Sequence, residues 1–169
     1  MDAISEARLD EVFPPLAVTV RKMAVMLAPA ITIRVVQGLR TWAAQYSLWS
    51  KGRDSSGRIV DPSAVVTHAK PGSSYHNFGL AVDCAPFDAE GQPDWNASHP
   101  SWRRMIEVGE SLGLYSGSHF KVVHAGVVIP EPDMPHFQLT GRFPSEPDDE
   151  VLYLFKEAGL QGVWNEVQK

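Results

Sequence analysis

Apolar side chains recur at helical spacing in five stretches of this chain and alternate in three short ones. Residues 3–13 read as a helix halted by Pro14-Pro15. Residues 16–28 read as a second, with Leu16, Val20, Met23 and Leu27 on one face and Pro29 beyond its end. ITIRVVQG (31–38) alternates and is rich in β-branched residues, the pattern of a strand. Thr41 has the hydroxyl that caps a helix start, so TWAAQYSLWSKG is expected to be helical and to stop at Gly52. The stretch 53–72 is a loop by its Gly, Ser, Asp and Pro content, and GLAVDCA (79–85) is the next strand. HPSWRRMIEVGESLG (99–113) predicts a helix with Pro100 in its first turn and Trp102, Ile106, Gly109 and Leu112 or Gly113 on one face. PHFQLTG (135–141) is a short strand opened by a proline. The helix expected over 147–160 carries its acids at the start, where the helix dipole favours them. With no repeats, low-complexity tract or long linker, the expectation is one α+β domain over residues 1–169.

Composition narrows the function classes. At 169 residues and 44% hydrophobic, the chain can bury a core without staples, and its single cysteine, Cys84, rules out an internal disulfide framework. A net charge of −5 argues against nucleic acid as the main partner, because phosphate binding needs a basic surface. No apolar run approaches a membrane span, and the Arg21-Lys22 and Arg103-Arg104 pairs are too sparse for membrane disruption. The start, MDAISEARLDEVFPP, is acidic and amphipathic rather than basic then apolar, so no secretory leader is expected and synthesis in a cytoplasm is.

The chemistry lies among six histidines and their neighbouring acids. His68, His99 and His124 read as solvated side chains. His76 and His136 each sit where a loop meets a short strand, with Asp83 seven residues after the first and Asp133 three residues before the second. On a strand Asp83 shares its face with Ala81, a small neighbour that leaves space, and Gly79 permits a bend that returns His76 towards that face. A carboxylate ending an apolar run is costly unless a positive group stands beside it. His76, Asp83 and a distant His136 would make a His2Asp set with an open fourth position, the pattern of a catalytic zinc. The spacing equally suits a capping histidine and an unrelated acid at a strand end.

SSYHNFGLAVD (73–83) followed downstream by DMPHFQL (133–139) resembles the paired signature S-x-H-x-x-G-x-A-x-D and D-x-P-H-F of a zinc peptidase group. That group comprises D-alanyl-D-alanine carboxypeptidases (VanY-like) and L-alanyl-D-glutamate peptidases, and its phage endolysin branch is the nearest in pattern. QGLRTWAAQYSLWSKGR (37–53) and VVTHAKPGSSYHNFG (65–79) extend the likeness to about residues 31–141. The resemblance implies a small antiparallel sheet carrying one Zn2+, surrounded by helices, the D,D-peptidase and hedgehog-like fold. It implies His76, Asp83 and His136 as zinc ligands, Asp133 as general base on the zinc-bound water, and Arg40 as the group that steadies the oxyanion. Ser74 and Gln45 match polar positions near the substrate groove. SGSHFK (116–121) departs from the Gly-Gly-Asp-Trp-Lys stretch of relatives, and His119 there is a candidate to support a ligand by hydrogen bonding. Cys84, facing away from Asp83, reads as an apolar filler, and Trp42, Trp49, Trp95, Trp102, Trp164 and Phe137 read as core or rim packing. The expected activity is cleavage of a stem-peptide amide in bacterial peptidoglycan, L-Ala–D-Glu foremost, by a monomeric endolysin reaching the wall after membrane permeabilisation. A D,D-carboxypeptidase releasing D-Ala and a non-catalytic zinc-binding module are the alternatives, the latter disfavoured because it needs neither Asp133 nor Arg40.

Overall fold

The computed structural model describes residues 1–124 and 126–168, with the side chain of His124 outside the description. The chain is α+β. Its elements run α1 (Ala3–Leu9), α2 (Pro14–Leu27), β1 (Thr32–Gln37), α3 (Trp42–Trp49), β2 (Ala81–Phe87), α4 (Pro100–Ser111), β3 (Tyr115–Ser116), β4 (Lys121–His124), β5 (Val127–Pro130), β6 (His136–Gln138) and α5 (Asp149–Val167). Two compact units divide them: Met1–Gly38 with Leu80–Leu139, and Leu39–Gly79 with Thr140–Lys169.

The first unit is built on an antiparallel sheet of order β1-β2-β6-β3, beside the β4-β5 hairpin. β2 is an interior strand, and its Ala81, Val82, Cys84 and Ala85 are all 0% exposed. Helix α1 ends at Leu9, earlier than expected, and Val12 and Phe13 are buried beyond it. Pro14-Pro15 do not merely separate helices; they open α2, where a preset φ and a missing N–H cost nothing in the first turn. Helix α1 also serves edge strand β1: Ser5 Oγ accepts from the Val35 N–H at 3.0 Å and Arg8 donates to the Val35 carbonyl at 2.6 Å. Gly109 of α4 meets the sheet closely, since a β-carbon there would stand 2.5 Å from the Phe137 ring.

In the second unit Thr41 caps α3 by accepting from the Ala44 N–H, as its position predicts. Trp42, Phe78 and Phe155 form its aromatic centre, with ring centroids 5.4–6.3 Å apart. Trp164 donates to the Phe78 carbonyl at 2.8 Å. Helix α5 continues seven residues past its expected end. It kinks at Ala158-Gly159, where Gly159 takes φ +62°, which glycine tolerates, and then resumes. Among the described residues no helix is long and apolar enough to cross a membrane.

Candidate metal centre

Each unit presents part of the predicted site. In the first, Asp83 on β2 and His136 on β6 are directly opposed in the ladder, so their side chains share a face. Asp83 Oδ1 lies 3.5 Å from His136 Nδ1. Alternation puts Ala81 and Gln138, the next opposed pair, on that same face. Gln138 is buried, and its Oε1 lies 2.9 Å from His136 Nε2. The register of β1 against β2 slips after Val35 and places Gln37 opposite Asp83. Burial pulls the His136 imidazole towards the neutral form. The hydrogen bonds that the ring donates to Asp83 and Gln138, with the charges of Asp83 and Asp133, outweigh it and leave the pKa raised.

Asp133 reaches this neighbourhood by a turn. Its N–H donates to the Gly117 carbonyl at 2.9 Å, and its carbonyl accepts from the His136 N–H at 3.2 Å. Pro135 has no N–H for the ladder but supplies its carbonyl to the Cys84 N–H at 2.8 Å, so regular pairing starts at His136. Gly117 lies against both residues: a β-carbon there would fall 2.5 Å from the Asp133 carbonyl oxygen and 2.8 Å from His136 Cβ. The Asp133 side chain is exposed. The His119 expectation is corrected. Its ring is exposed and turned to Glu110, with Nε2 2.6 Å from Oε1, and the ring that packs on His136 is that of Phe120, centroid to centroid 5.1 Å.

In the second unit His76 stands on a 3-10 turn, Tyr75–Phe78, ended by Gly79 at φ +65°. That left-handed cap is the bend the glycine predicts, and His76 is 2% exposed. The His76 carbonyl accepts from the Arg40 N–H at 2.9 Å. Asn77 ties the same loops, accepting from the Gly72 N–H and donating to the Arg40 carbonyl, both at 2.9 Å. Arg40 donates through Nη1 to Gln45 Oε1 at 2.9 Å, and Gln45 donates through Nε2 to the Ala69 carbonyl at 2.8 Å. Gln45 is 0% exposed, so what it does here is hold the guanidinium. Ser74 precedes the turn, half-buried, with extended backbone and no capping hydrogen bond from its side chain.

Sequence reasoning passed over four of these residues. Gln138 was within its reach, two positions from His136 on a strand and therefore on the same face. Phe120, Gly117 and Asn77 act through loop contacts that no spacing encodes.

A family model described as VanY: D-alanyl-D-alanine carboxypeptidase matches residues 15–119, a stretch that includes Arg40, His76 and Asp83 and ends before Asp133 and His136. The chain is 31% identical over 98 residues to the peptidoglycan L-alanyl-D-glutamate endopeptidase CwlK of Bacillus subtilis (strain 168). That alignment covers 54% of this chain and 55% of CwlK, so the chain spans about half the length of the curated relative it matches. Among solved structures it is similar to the L-Ala D-Glu endopeptidase ChiX of Serratia marcescens, with a TM-score of 0.56 and 25% identity over 83% of this chain and 89% of ChiX. It also shares its fold with the vancomycin-resistance D,D-pentapeptidase VanY of a VanB-type cassette, solved in complex with Zn(II), with a TM-score of 0.52 and 18% identity over 91% of this chain and 82% of the other. By the reach of the family match, this chain belongs to the VanY D-alanyl-D-alanine carboxypeptidase family.

Proposed function

We propose that the chain is a zinc-dependent peptidase that hydrolyses an amide bond of peptidoglycan stem peptides, L-Ala–D-Glu foremost, with His76, Asp83 and His136 as the metal ligands. The observation that carries this reading is the opposed pair on the sheet of the first unit, Asp83 Oδ1 3.5 Å from His136 Nδ1, with the buried His76 of the second unit as the third donor of the signature. Two imidazoles and one carboxylate suit a borderline divalent cation and leave a coordination position for substrate or water. The relative VanY solved with Zn(II) supports zinc, and the names of CwlK and ChiX support the L-Ala–D-Glu bond over the terminal D-Ala bond. Zinc so held would supply Lewis acidity and lower the pKa of a bound water to about 7.

The residues then divide the work. In this proposal Asp133 takes the proton of the attacking water on its carboxylate and delivers it to the departing amine nitrogen as the C–N bond breaks. Arg40, held by Gln45, offers a planar fork of donors to the oxygen on which negative charge develops. Ser74 lines the approach of the peptide.

The test is digestion of purified peptidoglycan by the zinc-loaded chain, read by mass spectrometry. Released peptides beginning with D-Glu support the proposal. Free D-alanine would move the assignment to a D,D-carboxypeptidase, and an unchanged wall with zinc bound would move it to a recognition module. The endolysin role belongs to the same proposal, as do synthesis in a host cytoplasm, action as a monomer and access to the wall after membrane permeabilisation. Lysis that requires co-expression of a membrane-permeabilising protein checks the endolysin role, the cytoplasmic synthesis and the route of access, and lysis without it would remove them; sedimentation of the purified chain checks the monomer.

A further inference from the structure

A neutral imidazole carries one N–H and one lone pair, and only the lone pair can bind a metal. Which nitrogen keeps the lone pair is set by the partner of the other. In His136, Nε2 faces Gln138 Oε1 at 2.9 Å, and Nδ1 faces Asp83 Oδ1 at 3.5 Å. An amide oxygen can only accept, so this contact keeps the proton on Nε2. We propose that Gln138 is a positioning residue that fixes the tautomer and ring plane of His136, making Nδ1 the metal-binding atom. The inference rests on the zinc reading above for its purpose, but the Nε2–Oε1 contact itself is made without metal.

The setting suits the role. Gln138 lies on an interior strand, paired with Ala81 of β2 on one side and Tyr115 of β3 on the other, so its backbone is held from both edges. Its side chain is buried, and its neighbour Ala81 is too small to crowd it. The Phe120 ring, at 5.1 Å from the imidazole, limits ring rotation. Were the amide reversed, its NH2 would donate to Nε2. The proton would then stand on Nδ1, pointing at Asp83, and that face would present no lone pair.

Two measurements decide this. In the metal-free wild-type chain, above the pH at which the His136 imidazolium gives up its second proton, two-bond proton–nitrogen spectra should show the Nε2–H tautomer. Gln138→Met, which removes the acceptor, should shift His136 towards the Nδ1–H form and weaken zinc binding about 10- to 100-fold in a chelator competition. Gln138→Glu restores an acceptor and should keep the Nε2–H tautomer, with zinc affinity within about threefold of wild type. An Nδ1–H tautomer in the wild type overturns the proposal, as does Gln138→Met binding zinc within about twofold of wild type. If Gln138→Met does not fold, the wild-type tautomer and Gln138→Glu still decide: a glutamate variant with the altered tautomer refutes the role. A wild-type chain that binds no zinc yet shows the Nε2–H tautomer refutes the metal reading alone.

Discussion

Replacing Gly117 with alanine tests whether the Asp133–His136 turn must be held where it is. The added methyl would stand 2.5 Å from the Asp133 carbonyl oxygen and 2.8 Å from His136 Cβ, whereas ordinary contact begins near 3.4 Å. Relief therefore requires about 0.9 Å of movement, and the obstructing oxygen is backbone, which cannot rotate aside as a flexible side-chain end can. Shifting that backbone moves the proposed base and a proposed ligand together. A displacement near 1 Å in a catalytic group lowers rate by about 100-fold. Overpacking of this kind costs about 1–3 kcal/mol, or roughly 3–9 °C in melting temperature for a chain of this size. The assay pairs kcat/KM on purified peptidoglycan with a thermal melt of the same preparation. Gly117→Ala with wild-type kcat/KM and an unchanged melt would refute the claim that this glycine is required for the close approach.

Other perturbations separate the remaining roles. Asp133→Ala should retain zinc, measured by elemental analysis, and lose about 100- to 10,000-fold in wall-cleaving rate, the range for a positioned acid–base group. His136→Ala should copurify without zinc. For wild type, zinc at about 1,000 times its Kd should add about 4 kcal/mol of stability, seen as a rise of roughly 10 °C in the melt that a chelator reverses. Asp2 caps α1 through the Ser5 N–H and pairs with Arg34 at 3.1 Å, and these contacts lower its pKa, the Ser5 hydrogen bond foremost. Asp2→Ala should cost about 1 kcal/mol at neutral pH. Because the folded pKa is the lower one, that loss should be full above the unfolded value of about 3.9 and vanish as acid titrates the folded carboxylate. Denaturant melts at pH 7 and pH 2.5 check it.

The parts of this fold legible in the sequence are those where a local rule meets no opposition. Thr41 caps α3, Gly79 ends the His76 turn in the left-handed region, and β2 alternates as written. The errors fall where a local signal has two structural meanings. Pro14-Pro15 could end one helix or begin the next, and they begin α2; a helix expected to finish at 160 instead kinks at Gly159 and runs on to Val167. Within the site, the Asp83–His136 pairing was readable only as two motifs in order, because ladder register between distant strands is not encoded by either strand alone. His119 was misjudged for the same reason: what it faces, Glu110, lies on a helix that the loop sequence does not mention.

Cys84 has a practical consequence. It sits at the centre of the sheet next to a proposed ligand, fully enclosed, and burial pushes its thiol far above the range in which thiolate forms. In the native state a thiol-labelling reagent therefore finds no nucleophile, and modification must wait until β2 leaves the sheet. As the chain's lone cysteine, it turns any labelling time course into a clock for that opening, free of background from other thiols. The same clock, run with and without zinc, would report how firmly the metal shuts the strand that carries it.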